Sequence, residues 1–414
     1  MNKLLHLIYS LKKRVFSKHK KNKKIKSDIE ILGHMINESD LKQNEIFANN
    51  MRNHSWCGKT PKSIMCFIPY TTSFLAGGVS TIINTCYNLS KIWDAKLFLC
   101  LVSRDKLNDE NEQLYTKLVK KNFPDLDYEV ILPNSVNNYK TDIAICTSWI
   151  TAYFLLKYNA CKEKYYLIQD LENTFSASSS VSALARLTYD FGFNKLVNSE
   201  ALKRYMKMFD SKSPIFRYQP GINTDLYYPN NNSSKEKSVV KILVYARPNY
   251  TRNAFDLLVP VLKNIKSKFL EQVEILTVGE EFSLKKAGLS MVVKNLGKLN
   301  SLEELADLYR QCDIGISLIT TPTFSYQHLE FMASGLCLVT NKQEGIEDFL
   351  SDGVNAVVCE PIINIFVEKI SEIIQNKEKR EAITKKGLEF AQNLSWSSCY
   401  NSIADFILDD SKYL

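Results

Sequence analysis

A chain of 414 residues is longer than one ordinary hydrophobic core organises and suits two domains. Its 45% hydrophobic and 24% charged residues are the proportions of a water-soluble globular protein. The net charge of +8 is a property of one end: residues 1 to 28 hold ten Lys or Arg and one acid, leaving 43 basic against 44 acidic residues in the remainder. Composition therefore gives no nucleic-acid-binding body.

In that basic end, Leu4, Leu7, Ile8, Leu11 and Val15 recur at three- and four-residue steps and a lysine cluster follows. The apolar stretch falls short of the ~20 residues needed to span a bilayer. The charge follows the apolar part, and no small-residue cleavage site follows it, unlike a signal peptide. Two readings stand: a basic amphipathic helix lying on an anionic membrane surface, or a helix packed on the protein and followed by a basic linker. Residues 1–54 are set apart as this segment and its linker.

Beyond Trp56, apolar strands alternate with helical patterns. The first half offers 63–70, 96–102, 128–132, 142–148, 165–169 and 195–199; the second offers 239–246, 273–279, 291–296, 314–319, 336–340 and 356–360. This alternation predicts an α/β protein with parallel sheets. Pro229 to Ser238, PNNNSSKEKS, is the linker, so two Rossmann-like domains are expected over 55–228 and 239–393. Of the ten cysteines, Cys66, Cys100, Cys146, Cys337 and Cys359 fall in or beside predicted strands, and CxxC is absent. Buried free thiols in a reducing cytoplasm are expected, with no disulfide framework and no structural zinc.

Neither half carries GxGxxG after its first strand, which argues against a nicotinamide or flavin dehydrogenase. Gly77 and Gly78 instead follow the first strand and open a helix, where glycines admit a close ligand and helix N–H groups stay free. Asp125-Leu126-Asp127 spells DxD, a metal-binding pattern, but it lies in a turn after Pro124 with no second acidic cluster, so a solvated turn is expected. Gln169, Asp170 and Glu172 stand at the carboxyl end of a predicted strand, the edge where α/β ligands bind. Asp170 is either a carboxylate that orients or deprotonates an attacking hydroxyl, or an Asx turn or helix cap.

In the second half, Arg247 follows the first strand and Arg252 opens the next helical pattern. A helix start disfavours cations, so the pair calls for an anion, and a diphosphate fits. The stretch Asp313 to Thr340 reads strand, loop, helix, strand, and Glu330, one turn after Tyr326, is either a carboxylate placed to accept hydrogen bonds from a ribose diol or a solvated helix residue after an ordinary turn. His54 and His328 form no catalytic pair by spacing.

The segment LEFMASGLCLVTN resembles the donor-site signature of GT-B glycosyltransferases of family 4, in which a Glu–x7–Glu pair precedes a glycine-bearing helix end. Glu330 matches the second glutamate, which binds the nucleotide ribose there; Pro322 stands where the first is expected. TPTFSYQHLE is similar to the SPxxSYxxLE loop of the WsaF-type bacterial rhamnosyltransferases, and the Gln169-Asp170 pair follows that subgroup as well. The resemblance implies two Rossmann-like domains facing across a cleft, 55–228 for the acceptor and 239–393 for the nucleotide-sugar, with 394–414 as a helix crossing back. It implies that Gly77 and Gly78 line the cleft, that Arg247 and Arg252 hold the diphosphate (Arg252 in place of the usual lysine), and that Gly279, Gly297 and Lys298 surround phosphate and base, with Leu299 against the base. Ser325 and Tyr326 become donor contacts. The implied activity is transfer of a sugar, rhamnose from dTDP-rhamnose first among the choices, onto a glycan or lipid-linked glycan, with retention of configuration and without cofactor or metal. The enzyme would work in the cytoplasm, peripheral on the inner face of the membrane. A nucleotide-sugar epimerase and a non-catalytic nucleotide-sugar-binding subunit remain the other classes.

Overall fold

The computed structural model describes residues 36–71, 77–103, 107–230 and 239–413. The basic stretch of residues 1–28, with its expected membrane contact, lies outside them.

Two parallel sheets form. The first contains β1 (Ser63–Pro69), β2 (Lys96–Val102), β3 (Tyr128–Ile131), β4 (Ile143–Cys146), β5 (Glu163–Ile168), β6 (Asn194–Val197) and β7 (Ile215–Arg217), in spatial order β3-β2-β1-β4-β5-β6-β7. The second contains β8 (Val240–Ala246), β9 (Val273–Gly279), β10 (Lys294–Asn295), β11 (Ile314–Ile316), β12 (Cys337–Asn341) and β13 (Val357–Cys359), in order β10-β9-β8-β11-β12-β13. Strand order reverses between β1 and β4 in one sheet and between β8 and β11 in the other, and such reversals open crevices at the carboxyl ends of strands. The strands read as near-continuous apolar runs because helices cover both faces: Ile64, Cys66 and Ile68 join one core layer of the first domain and Met65 and Phe67 the other. The five strand cysteines are buried free thiols.

The structure shortens several expected strands, among them 291–296 and 314–319. Residues 291 and 292 are turn and 293 is irregular, leaving only Lys294–Asn295 paired to β9. The run 314–319 stops pairing as a ladder after Ile316 because the Asn341 side chain takes over: its amide donates to Ile319 O at 2.9 Å and its Oδ1 accepts from Ile319 N at 2.9 Å. Strand β7, at the sheet edge, was not legible in the sequence.

Residues 36–54, expected as linker, contain the helix Glu38–Arg52, entered through an Asn37 capping box. It is docked on the first domain: Asn44 Nδ2 donates to Phe191 O at 2.6 Å, Lys164 Nζ donates to Asn44 Oδ1 at 3.1 Å, and Met51 is buried. The helix Trp396–Leu408, after the second domain, packs back on the first, with Cys399, Ile403, Ala404 and Ile407 in the core layer of β1 and Phe406 stacked on Phe216. Asp410 then accepts from Ser55 and from the backbone N–H groups of Trp56 and Cys57. Both ends of the described chain are thus fastened to the first domain. Among the described residues, no helix is long and apolar enough to cross a membrane.

Candidate active site

The carboxyl ends of the two sheets face each other, and the loops after β5 and β6 touch those after β8, β11 and β12. Thr323 Oγ1 donates to Gln169 O at 2.6 Å, Ser199 Oγ donates to Pro322 O at 3.3 Å, and Glu200 N donates to Asp348 Oδ2 at 2.7 Å.

On the first-domain side, Gly77 and Gly78 begin the helix Gly77–Trp93, and Gln169 Nε2 donates to Gly78 O at 2.9 Å and to Thr147 Oγ1 at 3.2 Å. One glutamine thereby ties the loop after β5 to both loops at the sheet's reversal point. Asp170 follows it. Its Oδ1 accepts from Leu171 N at 2.8 Å, a local turn bond, and its Oδ2 accepts from Arg252 Nη1 at 2.8 Å, across the cleft. Burial raises the Asp170 carboxyl above its ordinary value, and the Arg252 guanidinium opposes that rise. Glu172 does different work. Its Oε2 accepts from Trp149 N at 2.6 Å, at the start of the helix Trp149–Lys157, and from Tyr166 OH at 3.0 Å. Burial lifts its pKa to about 7.

On the second-domain side, Arg247 leaves β8 and Arg252 sits in the short helical turn Thr251–Asn253. The Arg247 guanidinium lies 3.5 Å from the Tyr250 ring centre, and that of Arg252 lies 4.3 Å from the Phe175 ring centre, so aromatic faces hold both cations. Among the described residues Arg247 has no ion-pair partner, whereas Arg252 is paired to Asp170. Gly279 ends β9 at φ +131°, and a Cβ there would lie 2.7 Å from Ala246 O and 3.2 Å from Arg247 Cγ. Only glycine lets β9 end beside Arg247. Gly297 accepts from Gly279 N at 2.8 Å, Lys298 is exposed, and Leu299 packs against the second-domain core beside them.

The loop after β11 delivers the helix Tyr326–Ala333. No side chain caps its start: the Ser325 hydroxyl is turned to Gln327 Oε1 at 2.6 Å, which leaves first-turn amides for a ligand. Loop residues Pro322 and Thr323 rest on Gly345, where any Cβ would fall inside van der Waals contact with Thr323 N and Pro322 C. Tyr326, expected among the donor contacts, is turned to the first domain: its hydroxyl lies 3.5 Å from Gln169 Oε1 and its ring 5.9 Å from that of Trp396. A donor-facing tyrosine would leave its apolar ring against charged phosphate, whereas the interdomain face offers aromatic packing. Glu330, one turn on, is turned to two phenols of the second domain's side: it accepts from Tyr309 OH at 3.1 Å, and Tyr227 faces the same carboxylate. Burial raises its pKa to about 7 against the pull of those two phenols. Tyr245 on β8 feels both Arg247 and Glu330, which puts cation and carboxylate in one neighbourhood.

Other sequence features fall outside this cleft. Asp125 and Asp127 are exposed, at the amino end of β3 and so on the far edge of the sheet, and the described residues contain no cluster of three metal-ligating side chains. His328 is buried between Ser317 O and Thr340 Oγ1, at 3.1 and 3.2 Å, with its pKa lowered to about 4 by burial, in the interior of the second domain. Sequence reasoning missed Tyr227, Tyr309 and Thr323, since single tyrosines and threonines in loops and helix ends carry no signature of their own.

Facing sheet ends with reversal points on either side of a cleft, and a final helix that returns to the first domain, define a GT-B protein, the two-domain fold of many glycosyltransferases. Solved structures of that fold match over 84% of this chain: Anabaena Alr3699/HepE in complex with UDP and glucose (TM-score 0.66, 14% identity, 99% of that chain) and sucrose-phosphate synthase from Thermosynechococcus elongatus (TM-score 0.63, 13% identity, 98% of that chain). At such identities the likeness is one of fold. Residues 240–371, within the second domain, match the family model described as WsaF, C-terminal domain. The O-antigen biosynthesis protein RfbC of Myxococcus xanthus is 29% identical over 257 residues, covering 62% of this chain and 20% of its own length. The chain therefore spans about a fifth of that curated relative.

Proposed function

We propose that the chain is a glycosyltransferase of the family 4 type that moves a sugar from a nucleotide donor to a cell-surface glycan, with rhamnose from dTDP-rhamnose as the first choice of donor. The observation that carries this reading is the meeting of Asp170 with Arg252 at 2.8 Å, which joins an acceptor-side carboxylate to a donor-side cation inside the cleft. Arg247, Arg252 and the uncapped helix start at Ser325 supply positive potential where a diphosphate leaves. Glu330 offers oxygen acceptors to the nucleotide's sugar. In the reaction, the bond from the sugar's anomeric carbon to the diphosphate breaks with its electron pair going to phosphate. The acceptor oxygen bonds to that carbon on the same face, and its proton passes to the departing phosphate oxygen; Asp170 orients the attacking hydroxyl. This gives retention without a metal and without an enzyme nucleophile.

The test is a thermal-shift panel of dTDP-, UDP- and GDP-sugars followed by turnover with the nucleotide that binds. Stabilisation by dTDP-rhamnose above the others, with release of dTDP when glycan acceptor is added, is the expected result. Product formed without acceptor would turn the reading to an epimerase. A second reading, a non-catalytic binding subunit, draws on Pro322: it stands where a donor-contacting glutamate is expected, and its carbonyl is taken up by Ser199 of the other domain. Binding without turnover is the result that reading requires.

A further inference from the structure

Glu330 does not stand alone. Tyr309 ends the helix Leu302–Tyr309 and is fully buried; its hydroxyl donates to Glu330 Oε2 at 3.1 Å. Tyr227 faces the same carboxylate from a different part of the chain, the segment that leaves the first domain, and its phenol pulls the Glu330 pKa down. The two phenol rings stack, with centres 5.9 Å apart at 25°, and Phe331 packs edge-on against Tyr309 at 4.9 Å.

The segment bearing Tyr227 is itself held on both sides. Tyr227 N donates to Asn223 O at 2.9 Å, Arg310 Nη1 donates to Leu226 O at 2.9 Å, and the Arg310 guanidinium covers the Tyr228 ring at 4.2 Å. A carboxylate with one hydrogen-bond donor still swings about its last torsion; two donors from separate, packed elements fix both its plane and the direction of its remaining lone pairs.

We propose that Tyr227 and Tyr309 are positioning residues for the nucleotide, a phenol pair that aims the Glu330 carboxylate at the sugar hydroxyls of a nucleoside diphosphate. This rests on the reading of Glu330 as the group that receives those hydroxyls. Around that carboxylate the titratable and charged groups are Tyr227, Tyr309 and Tyr245, with Glu303 facing Tyr227 and Arg247 beyond Tyr245. Burial pushes all three phenols up, so Glu330, at about 7, is the member of this group that changes charge near neutrality. Each phenol favours the ionised carboxylate, and losing either raises its pKa further.

The experiment is calorimetric titration of UDP and of dTDP into the full-length protein and its Tyr309→Phe, Tyr227→Phe and Glu330→Gln variants, from pH 6 to pH 8.5, with melting temperatures recorded alongside. In the wild-type protein, affinity for whichever nucleotide binds is expected to rise with pH through about 7. Each phenylalanine variant is expected to lose about 3- to 10-fold in affinity at pH 7 and to move the midpoint of that rise upward. Glu330→Gln is expected to remove the pH step. If Glu330→Gln weakens binding while both phenylalanine variants keep wild-type affinity and midpoint, the positioning role is overturned and the Glu330 reading stands. Phenylalanine variants that melt earlier but keep the midpoint overturn it too, because they reveal packing alone. If Glu330→Gln binds like the wild type, the reading of Glu330 fails and the inference with it. Should Tyr309→Phe not fold, Tyr227→Phe carries the same comparison.

Discussion

Arg252 Nη1 lies 2.8 Å from Asp170 Oδ2, and the two belong to different domains. In sequence they are 82 residues apart. Each stands in a loop at the carboxyl end of its sheet, and Phe175 lies under the guanidinium from the Asp170 side. The pair makes the cleft a single site whose two walls neutralise each other before any ligand arrives, so a diphosphate that claims Arg252 leaves Asp170 without its counter-ion.

The cation pair should act on the leaving group. Removing a charge-assisted contact to a departing diphosphate costs on the order of 2 to 4 kcal/mol of transition-state stabilisation, so Arg247→Ala and Arg252→Ala should each lose ~30-fold or more in kcat/KM. A double-mutant cycle of Arg252→Ala with Asp170→Asn should show strong non-additivity, whereas Arg247→Ala with Asp170→Asn should come closer to additive. Near-normal turnover in folded Arg247→Ala would remove the diphosphate role.

Glu172 should matter for folding and not for chemistry. Its carboxylate takes the Trp149 N–H and the Tyr166 hydroxyl, so Glu172→Ala leaves two buried donors unpaired and should cost about 1 to 3 kcal/mol in denaturant unfolding. Its pKa is raised in the folded state to about 7, so its stabilising contribution is complete below the ordinary carboxylate range and is lost as pH rises through about 7. Glu172→Gln should flatten that part of the stability–pH curve, and an unchanged curve would contradict the burial of this carboxylate.

Gly345→Ala should disturb donor binding without touching donor. The added Cβ meets backbone at Pro322 and Thr323, which cannot give way like a flexible side chain, so the loop that leads into the Tyr326–Ala333 helix must shift. Nucleotide affinity should fall together with the melting temperature. Wild-type affinity in this variant would show that the loop's position is not set by Gly345.

Activity should persist in excess EDTA, and Asp127→Asn should leave it unchanged, because Asp125 and Asp127 lie on the far edge of the first sheet from the cleft. Loss of activity in EDTA with rescue by Mg²⁺ or Mn²⁺, together with an inactive Asp127→Asn, would relocate the chemistry.

Removal of residues 1 to 28 takes away ten bases and one acid, leaving a body at −1. Co-sedimentation with anionic liposomes should be lost in the truncated protein and weakened by salt in the full-length one, since each basic residue near such a surface contributes about 1 kcal/mol. Equal sedimentation of both forms would end the membrane reading.

The sequence by itself determined the class of fold and the edge of the fold that holds the site. Apolar runs bounded by helical patterns fix parallel strands, and in such a sheet whatever follows a strand stands at its carboxyl end; hence Asp170, Arg247, Arg252 and Glu330 were legible at the ligand-binding edge of their own sheets. Tertiary structure alone decided how they are used. Asp170 and Arg252 meet because two domains close on each other, an arrangement that no local period encodes. Tyr326 and Glu330 share a helix, yet one is taken by the first domain and the other by Tyr227 and Tyr309, because neighbours distant in sequence supply the partners. Glu172 stands at the same strand end as Asp170 and is a helix start's acceptor, since two carboxylates at one strand end are told apart only by the donors packed around them.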